Sequence, residues 1–205
     1  MNKILKDAMA LTLITLVIGV LLGVVYEVTK EPIAVQEDKA KMEACAEVFP
    51  EAESFESLEL SQYSDAFRKA LDDAGYQAQN IDEVSEALDG TGKLMGYVIT
   101  VTSTEGYNGD IQFSMGVSLD GTTNGISFLN ISETAGLGMN ASKDQFKDQF
   151  KGKQVTSFAY SKTGANADNE IDALSGATIT TNAVTNGVNA GITAVQILNE
   201  GGLDS

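Results

Sequence analysis

The sequence contains no histidine and a single cysteine, Cys45. Without histidine there is no Ser-His-Asp triad, no histidine metal site and no imidazole ligand for haem. One cysteine can neither close an internal disulfide nor hold an iron–sulfur cluster alone. Its setting, "KMEACAEVF", has helical spacing and reads as a small buried residue, with an intermolecular thiol as the alternative. Basic residues are also scarce: 13 against 29 acidic ones, a net charge of -16 over 205 residues. The first thirty residues hold Lys3, Lys6 and Lys30 against Asp7 and Glu27, so nearly all the acidity lies beyond them. Such a surface repels phosphate backbones and excludes nucleic acid as a partner.

What the chain does have is one long apolar run. "AMALTLITLVIGVLLGVVY", Ala8 to Tyr26, carries no charge over 19 residues. As a helix it spans roughly 28 Å, close to a hydrocarbon core. A cleaved signal peptide would have a shorter core and a small-x-small site after it; "GVVYEVTKEP" offers none, so the run reads as a retained anchor. Lys3 and Lys6 place the N-terminus in the cytoplasm and the remainder outside. Gly19 and Gly23 form a small-xxx-small pair of the kind that packs helices.

After the anchor, the sequence predicts a connection and then an amphipathic helix with Ala40, Ala44 and Val48 on one face, ended by Pro50. A second helix is predicted around "SDAFRKALDDAGY", with Ala66, Ala70 and Leu71 on one face and Gly75 as its stop. Two hairpins follow, one around "DGTGK" and one around Asp120-Gly121. Ile111, Phe113, Met115, Val117 and Leu119 alternate as in a half-buried strand. "KDQFKDQFKGK" reads as a short surface helix, "QVTSFAYS" as a last strand, and Ala183, Gly187, Gly191 and Ala194 as the narrow face of a closing helix. The fold class is α+β with an antiparallel sheet flanked by helices, not a series of βα units.

Three stretches are candidate sites. "GLGMNA", Gly136 to Ala141, fits a loose dinucleotide pattern, but the residue twenty beyond Gly138 is Phe158 instead of an acid. As a turn, "ETAGLG" lets backbone approach a flat ligand, with Thr134 offering a hydroxyl; an ordinary loop is the alternative. "EGYNG" carries Tyr107, which either covers a ligand or packs. "DALSGATITT" places Ser175, Gly176, Ala177 and Thr178 before a helix whose N-terminus suits a phosphate. Capping by Ser175, Thr178 or Thr181 explains one hydroxyl equally well.

"DALSGATITT" resembles the attachment motif of FMN-binding domains that carry FMN on threonine through a phosphoester bond. The threonine closing "SGAT", Thr178, matches the acceptor. The ordered set of anchor, "VTKEPI", "GY-x-G-x-I", "G-V-x-L-D-G", "ETAGLG" and "SGAT" resembles the RnfG family of the Rnf electron transport complex, from the anchor to about Leu198. Ala135 stands where the family usually has proline, and Asn130, Ile131 and Ser132 where a histidine is common. The resemblance implies covalent FMN on Thr178, with Ser175, Gly176 and Ala177 beside the phosphate and ribityl chain. Thr134, Leu137 and Gly138 would line the flavin, with Tyr107 nearby. It also implies an electron relay within a membrane-bound ferredoxin:NAD oxidoreductase that moves Na⁺ or H⁺. Other Rnf subunits and a flavin transferase would be its partners. The implied organisation is a tail and anchor over 1–30, a helical connecting region over 31–80 and an extracytoplasmic FMN-binding domain over 81–205. The alternatives are the analogous flavin-bearing component of the sodium-pumping NADH:quinone oxidoreductase and a non-redox anchored binding module.

Overall fold

A computed structural model describes residues 3–200, so the outermost ends of the first and third predicted segments lie outside the described residues. The chain forms two compact units, 1–40 and 41–205.

The first unit is helical. Helix α1 runs from Lys3 to Val48 without a break. The sequence placed a connection around Pro32; the helix instead passes through it. Pro32 removes one backbone hydrogen bond, and the Ala, Glu, Gln, Lys and Met residues that follow are strong helix formers. Every side chain from Lys3 to Lys39 is exposed. The helix is long and apolar enough to cross a membrane. The hydroxyls of Thr12 and Thr29 donate back to the carbonyls of Ala8 and Val25 at 2.9 and 2.8 Å. These polar groups are thus satisfied within the helix, as a lipid environment requires.

The second unit is built on a six-stranded antiparallel meander in chain order. Its strands are β1 (Ser54–Ser57), β2 (Gln79–Leu88), β3 (Leu94–Ser103), β4 (Ile111–Ser118), β5 (Thr122–Asn130) and β6 (Lys151–Gln154). Helix α2 (Ser64–Ala74) buries Phe67 and Leu71 and ends at Gly75, whose φ of 84° closes a left-handed cap. β1 and α2 come from the stretch read as a connecting region and belong to the sheet unit. Both hairpins form. In the first turn the Asp89 carboxylate accepts from the backbone N–H groups of Thr91 and Lys93.

The two faces of the sheet are packed differently. Helix α4 (Thr178–Asn199) lies on one, against Ile99, Val101, Phe113 and Met115. Val48 and Phe49, at the end of α1, close the other with Ala87 and Val98. The central strands are therefore buried on both faces, not half-buried as the alternation implied. Glycines make this possible: a Cβ on Gly96 would lie 2.7 Å from the Phe49 ring, and one on Gly116 3.0 Å from it. Cys45 packs at the margin of this second cluster. It is half-buried, and burial pushes its thiol up to about 11.

Two further expectations change. The "surface helix" is α3 (Asp144–Lys147) followed by one tight turn, and both its phenylalanines are core residues. Phe146 meets Phe150 edge to face at 5.6 Å, and Phe150 meets Phe158 at 5.1 Å. "QVTSFAYS" is not one strand. It divides between β6 and β7 (Ala159–Ser161), and β7 pairs in parallel with β8 (Glu170–Asp172). Asn189 of α4 explains the division: its side chain accepts from Phe158 N–H at 2.7 Å and donates to Phe158 C=O at 3.0 Å. That clamp takes the backbone between the strands out of any ladder.

Candidate functional site

Three segments distant in sequence meet at one edge of the sheet unit. They are the β3–β4 loop, the stretch after β5, and the N-terminus of α4. Between them is a cleft of about 440 Å³, within the ~300–1,000 Å³ range of small-ligand sites. Its lining includes Tyr107, Thr134, Leu137, Gly138, Gly176, Ala177 and Thr178. All the residues singled out from the sequence are here except Ser175, which lines an adjoining polar cleft with Asn140, Lys143 and Asp172.

Each wall has a local cause. The β3–β4 loop is tied at its base by Glu105, whose carboxylate accepts from Gln79 Nε2 at 2.7 Å and Asn186 Nδ2 at 2.8 Å. The second wall is a tight turn in which Thr134 C=O accepts from both Leu137 N–H and Met139 N–H at 3.1 Å. Gly136 takes a φ of 77° there, which a side chain would strain. In the third wall Gly176 has a φ of 73°, and a Cβ on it would sit 3.1 Å from Leu137 Cδ2, inside the cleft.

The start of α4 is uncapped. Its N-cap residue is Ala177, with no side-chain cap. The capping expected of Ser175, Thr178 or Thr181 does not occur. Thr181 lies inside the helix, where its hydroxyl donates to Ala177 C=O and accepts from Leu174 N–H. It braces the preceding loop. The first-turn N–H groups are thus left with no side-chain acceptor, the arrangement that favours an anion. Thr178 is half-buried at this point. Around the mouth, Tyr107, Leu137 and Ile179 are 69%, 43% and 52% exposed, an apolar rim suited to a flat ring system.

Sequence reasoning missed Glu133, Ile179 and Thr180. Glu133 is the first residue of "ETAGLG" and only 8% exposed, with its carboxylate in the cleft wall. Nothing in the pattern distinguishes it from a surface acid beside a turn. Thr180 is one of several threonines in the run, and what sets it apart is that its hydroxyl donates to Glu133 Oε2 at 3.1 Å.

With this geometry the chain matches two family descriptions: an FMN-binding domain over residues 106–193 and an RnfG N-terminal region over residues 1–48. It is 32% identical over 201 residues to the G component of the Na⁺-translocating ferredoxin:NAD⁺ oxidoreductase complex of Acetobacterium woodii, covering 96% of this chain and 94% of that one. The chain belongs to the RnfG family of ion-translocating oxidoreductases. The corresponding component of the proton-translocating ferredoxin:NAD⁺ oxidoreductase complex of Clostridium ljungdahlii is 31% identical, with 95% and 92% of the two chains covered. A solved structure, the C component of the Na⁺-translocating NADH-quinone reductase of Parabacteroides distasonis, superimposes with a TM-score of 0.49 at 21% identity over 75% of this chain and 80% of that one. The matched FMN-binding domain contains all three walls of the cleft.

Proposed function

We propose that this RnfG protein holds FMN covalently on Thr178 and relays electrons within a membrane-bound ferredoxin:NAD oxidoreductase that translocates Na⁺ or H⁺. The observation that carries this reading is that Thr178 opens a helix with no side-chain cap and lines a cleft with an apolar rim. The residues fit the group. The first-turn N–H groups suit the phosphate, Gly176 leaves room beside it, and Leu137, Ile179 and Tyr107 suit the ring. The FMN-binding family match and the relatives' complexes support the same reading.

The charge distribution supports a covalent bond over a dissociable one. Among the described residues no lysine or arginine lines the cleft, Glu133 does, and the whole chain carries -16. A dianionic phosphate would therefore be held weakly by electrostatics alone. An ester to Thr178 makes retention independent of that field. A flavin transferase would load the site from FAD with release of AMP. Bound FMN supplies the one- and two-electron chemistry; the protein positions it and sets the local field. Helix α1 anchors the protein, with Lys3 and Lys6 on the cytoplasmic side and the sheet unit outside. The alternative of a sodium-pumping NADH:quinone oxidoreductase component yields to the RnfG family, which matches over nearly the whole chain.

Thr178→Val is the deciding variant. It is expected to abolish the fluorescent flavin band in a denaturing gel and to return the intact mass to that of the bare chain. Thr178→Ser keeps the hydroxyl and is expected to retain some flavin. A band that persists in Thr178→Val removes the assignment.

A further inference from the structure

Glu133 is a buried carboxylate without a cation. Its Oε1 accepts from Tyr107 N–H at 2.7 Å and Asn108 N–H at 3.3 Å; its Oε2 accepts from Thr180 Oγ1 at 3.1 Å. Among the described residues it makes no salt bridge. Burying an ionised carboxylate costs several kcal/mol unless hydrogen bonds or charges compensate. Here two backbone N–H groups, a hydroxyl and the N-terminus of α4 provide that compensation. The space for it is cleared on two sides. A Cβ on Gly138 would lie 2.6 Å from Glu133 Oε2, and one on Gly106 3.0 Å from Oε1. The carboxylate therefore joins the β3–β4 loop to the first turn of α4. Its own backbone belongs to the remaining wall, the stretch after β5, so this one residue links every wall of the cleft.

We propose that Glu133 is a charged clasp: it positions the Tyr107 loop and the Thr178 turn relative to each other, and its negative charge biases the group held on Thr178 against reduction. The second half rests on the flavin reading above; the first does not. The electrostatic direction follows from charge alone. Reduction adds electron density to the bound group, and a carboxylate in the same low-dielectric wall opposes it. Asn108 Nδ2 adds a second tie from the loop, to Ser132 C=O at 2.7 Å. Glu105 ties the base of the loop to Asn186 of α4, and Glu133 ties the loop to that helix's first turn.

The two roles separate by substitution. In Glu133→Gln the amide oxygen still accepts from Tyr107 and Asn108, and the amide nitrogen donates to Thr180 Oγ1, which is both donor and acceptor. The clasp stays and the charge goes. Glu133→Ala removes both, and Thr180→Val cuts only the link to α4. The full-length chain is used, with hydrogen exchange of the Tyr107 and Asn108 amides read in protein lacking flavin. The midpoint potential is read in loaded protein. Glu133→Ala is expected to speed exchange of both amides at least about tenfold, and Glu133→Gln to leave it near wild type. Glu133→Gln is expected to shift the potential to a more positive value. Wild-type protection in Glu133→Ala overturns the clasp, and an unchanged potential in Glu133→Gln overturns the charge role. Should Glu133→Ala fail to fold, Thr180→Val takes its place: it is expected to broaden the flavin absorbance and loosen the Thr178 turn in exchange, and an unaltered spectrum and protection overturn the clasp. Wild-type protein without covalent flavin would sink the functional reading instead, while the exchange data still decide the clasp.

Discussion

Helices α1 and α4 are both long, with 46 and 22 residues, and neither shows a simple one-sided stripe. They solve opposite problems. From Ala8 to Tyr26 α1 carries Leu, Ile and Val on all sides, and only Ala44 and Val48, near the helix end, are buried. α4 buries 14 of its residues, and many of those are Gly, Ala, Thr and Val. A helix of large apolar residues exposed all round belongs in lipid. A helix of small ones belongs against a sheet, where short side chains let its backbone approach. Side-chain size, more than hydropathy, separates anchor from core helix in this chain.

The sharpest way to break this comparison is to enlarge a glycine in each helix. A Cβ on Gly191 would overlap Met115 Sδ, and one on Gly187 would lie 2.8 Å from the Phe113 ring. Gly23 has nothing within 4 Å. Gly191→Val is therefore expected to cost the sheet unit upwards of about 3 kcal/mol, the high end of overpacking. Gly23→Val is expected to leave the urea midpoint of that unit unchanged. Equal effects would mean that α4 is not close-packed on the sheet.

The last turn of α1 provides the next test, because there the helix changes role. Ala44 and Val48 are buried and Phe49 is 3% exposed, its ring seated over Gly96 and Gly116. Phe49→Ala is expected to destabilise the sheet unit by about 3–5 kcal/mol, the usual cost of deleting a buried aromatic. A chain beginning near residue 41 should fold, and one beginning at residue 51 should not. Comparable denaturation midpoints for the two truncations would show that the second face of the sheet needs no cover.

This change of role also marks where the sequence stopped being legible. The anchor run, both hairpins, α2 with its Gly75 stop and the closing helix were all visible, because each is written in local periodicity or turn chemistry. The connection expected after the anchor is helix instead, since the helix formers beyond Pro32 outweigh its one lost hydrogen bond. Phe146 and Phe150 looked like surface repeats, because their burial depends on tertiary partners such as Phe158, which a local repeat does not encode. At the site, Thr134, Leu137, Gly138 and Thr178 were legible as parts of motifs, and the fold puts them around one cleft. Glu133 and Thr180 were not, because what distinguishes them is a hydrogen bond across 47 positions, and no local pattern encodes that.

The smallest effect concerns the polar fastening of the same α1 segment. Glu47 accepts from Lys147 Nζ at 2.6 Å and from Ser127 Oγ, and Lys147 also reaches Asp144 at 3.3 Å. Burial pushes the Glu47 carboxyl up, but the hydrogen bonds from Lys147 and Ser127 outweigh it and hold it below the usual value. Burial pushes Lys147 down, and its bond to Glu47 outweighs that and raises it. A depressed carboxylate contributes stability above its unfolded value, about 4.3, and loses it as the pH falls through the folded one. A raised ammonium contributes below about 10.4 and loses that as the pH climbs through its folded value. Glu47 is half-exposed, so the pair is worth no more than about 1 kcal/mol. Glu47→Gln is therefore expected to lower stability slightly at pH 7, and the gap to wild type should close as urea titrations move below about pH 4. A gap that stays constant down the series would mean that the charge of Glu47 contributes nothing to holding the end of α1 on the sheet.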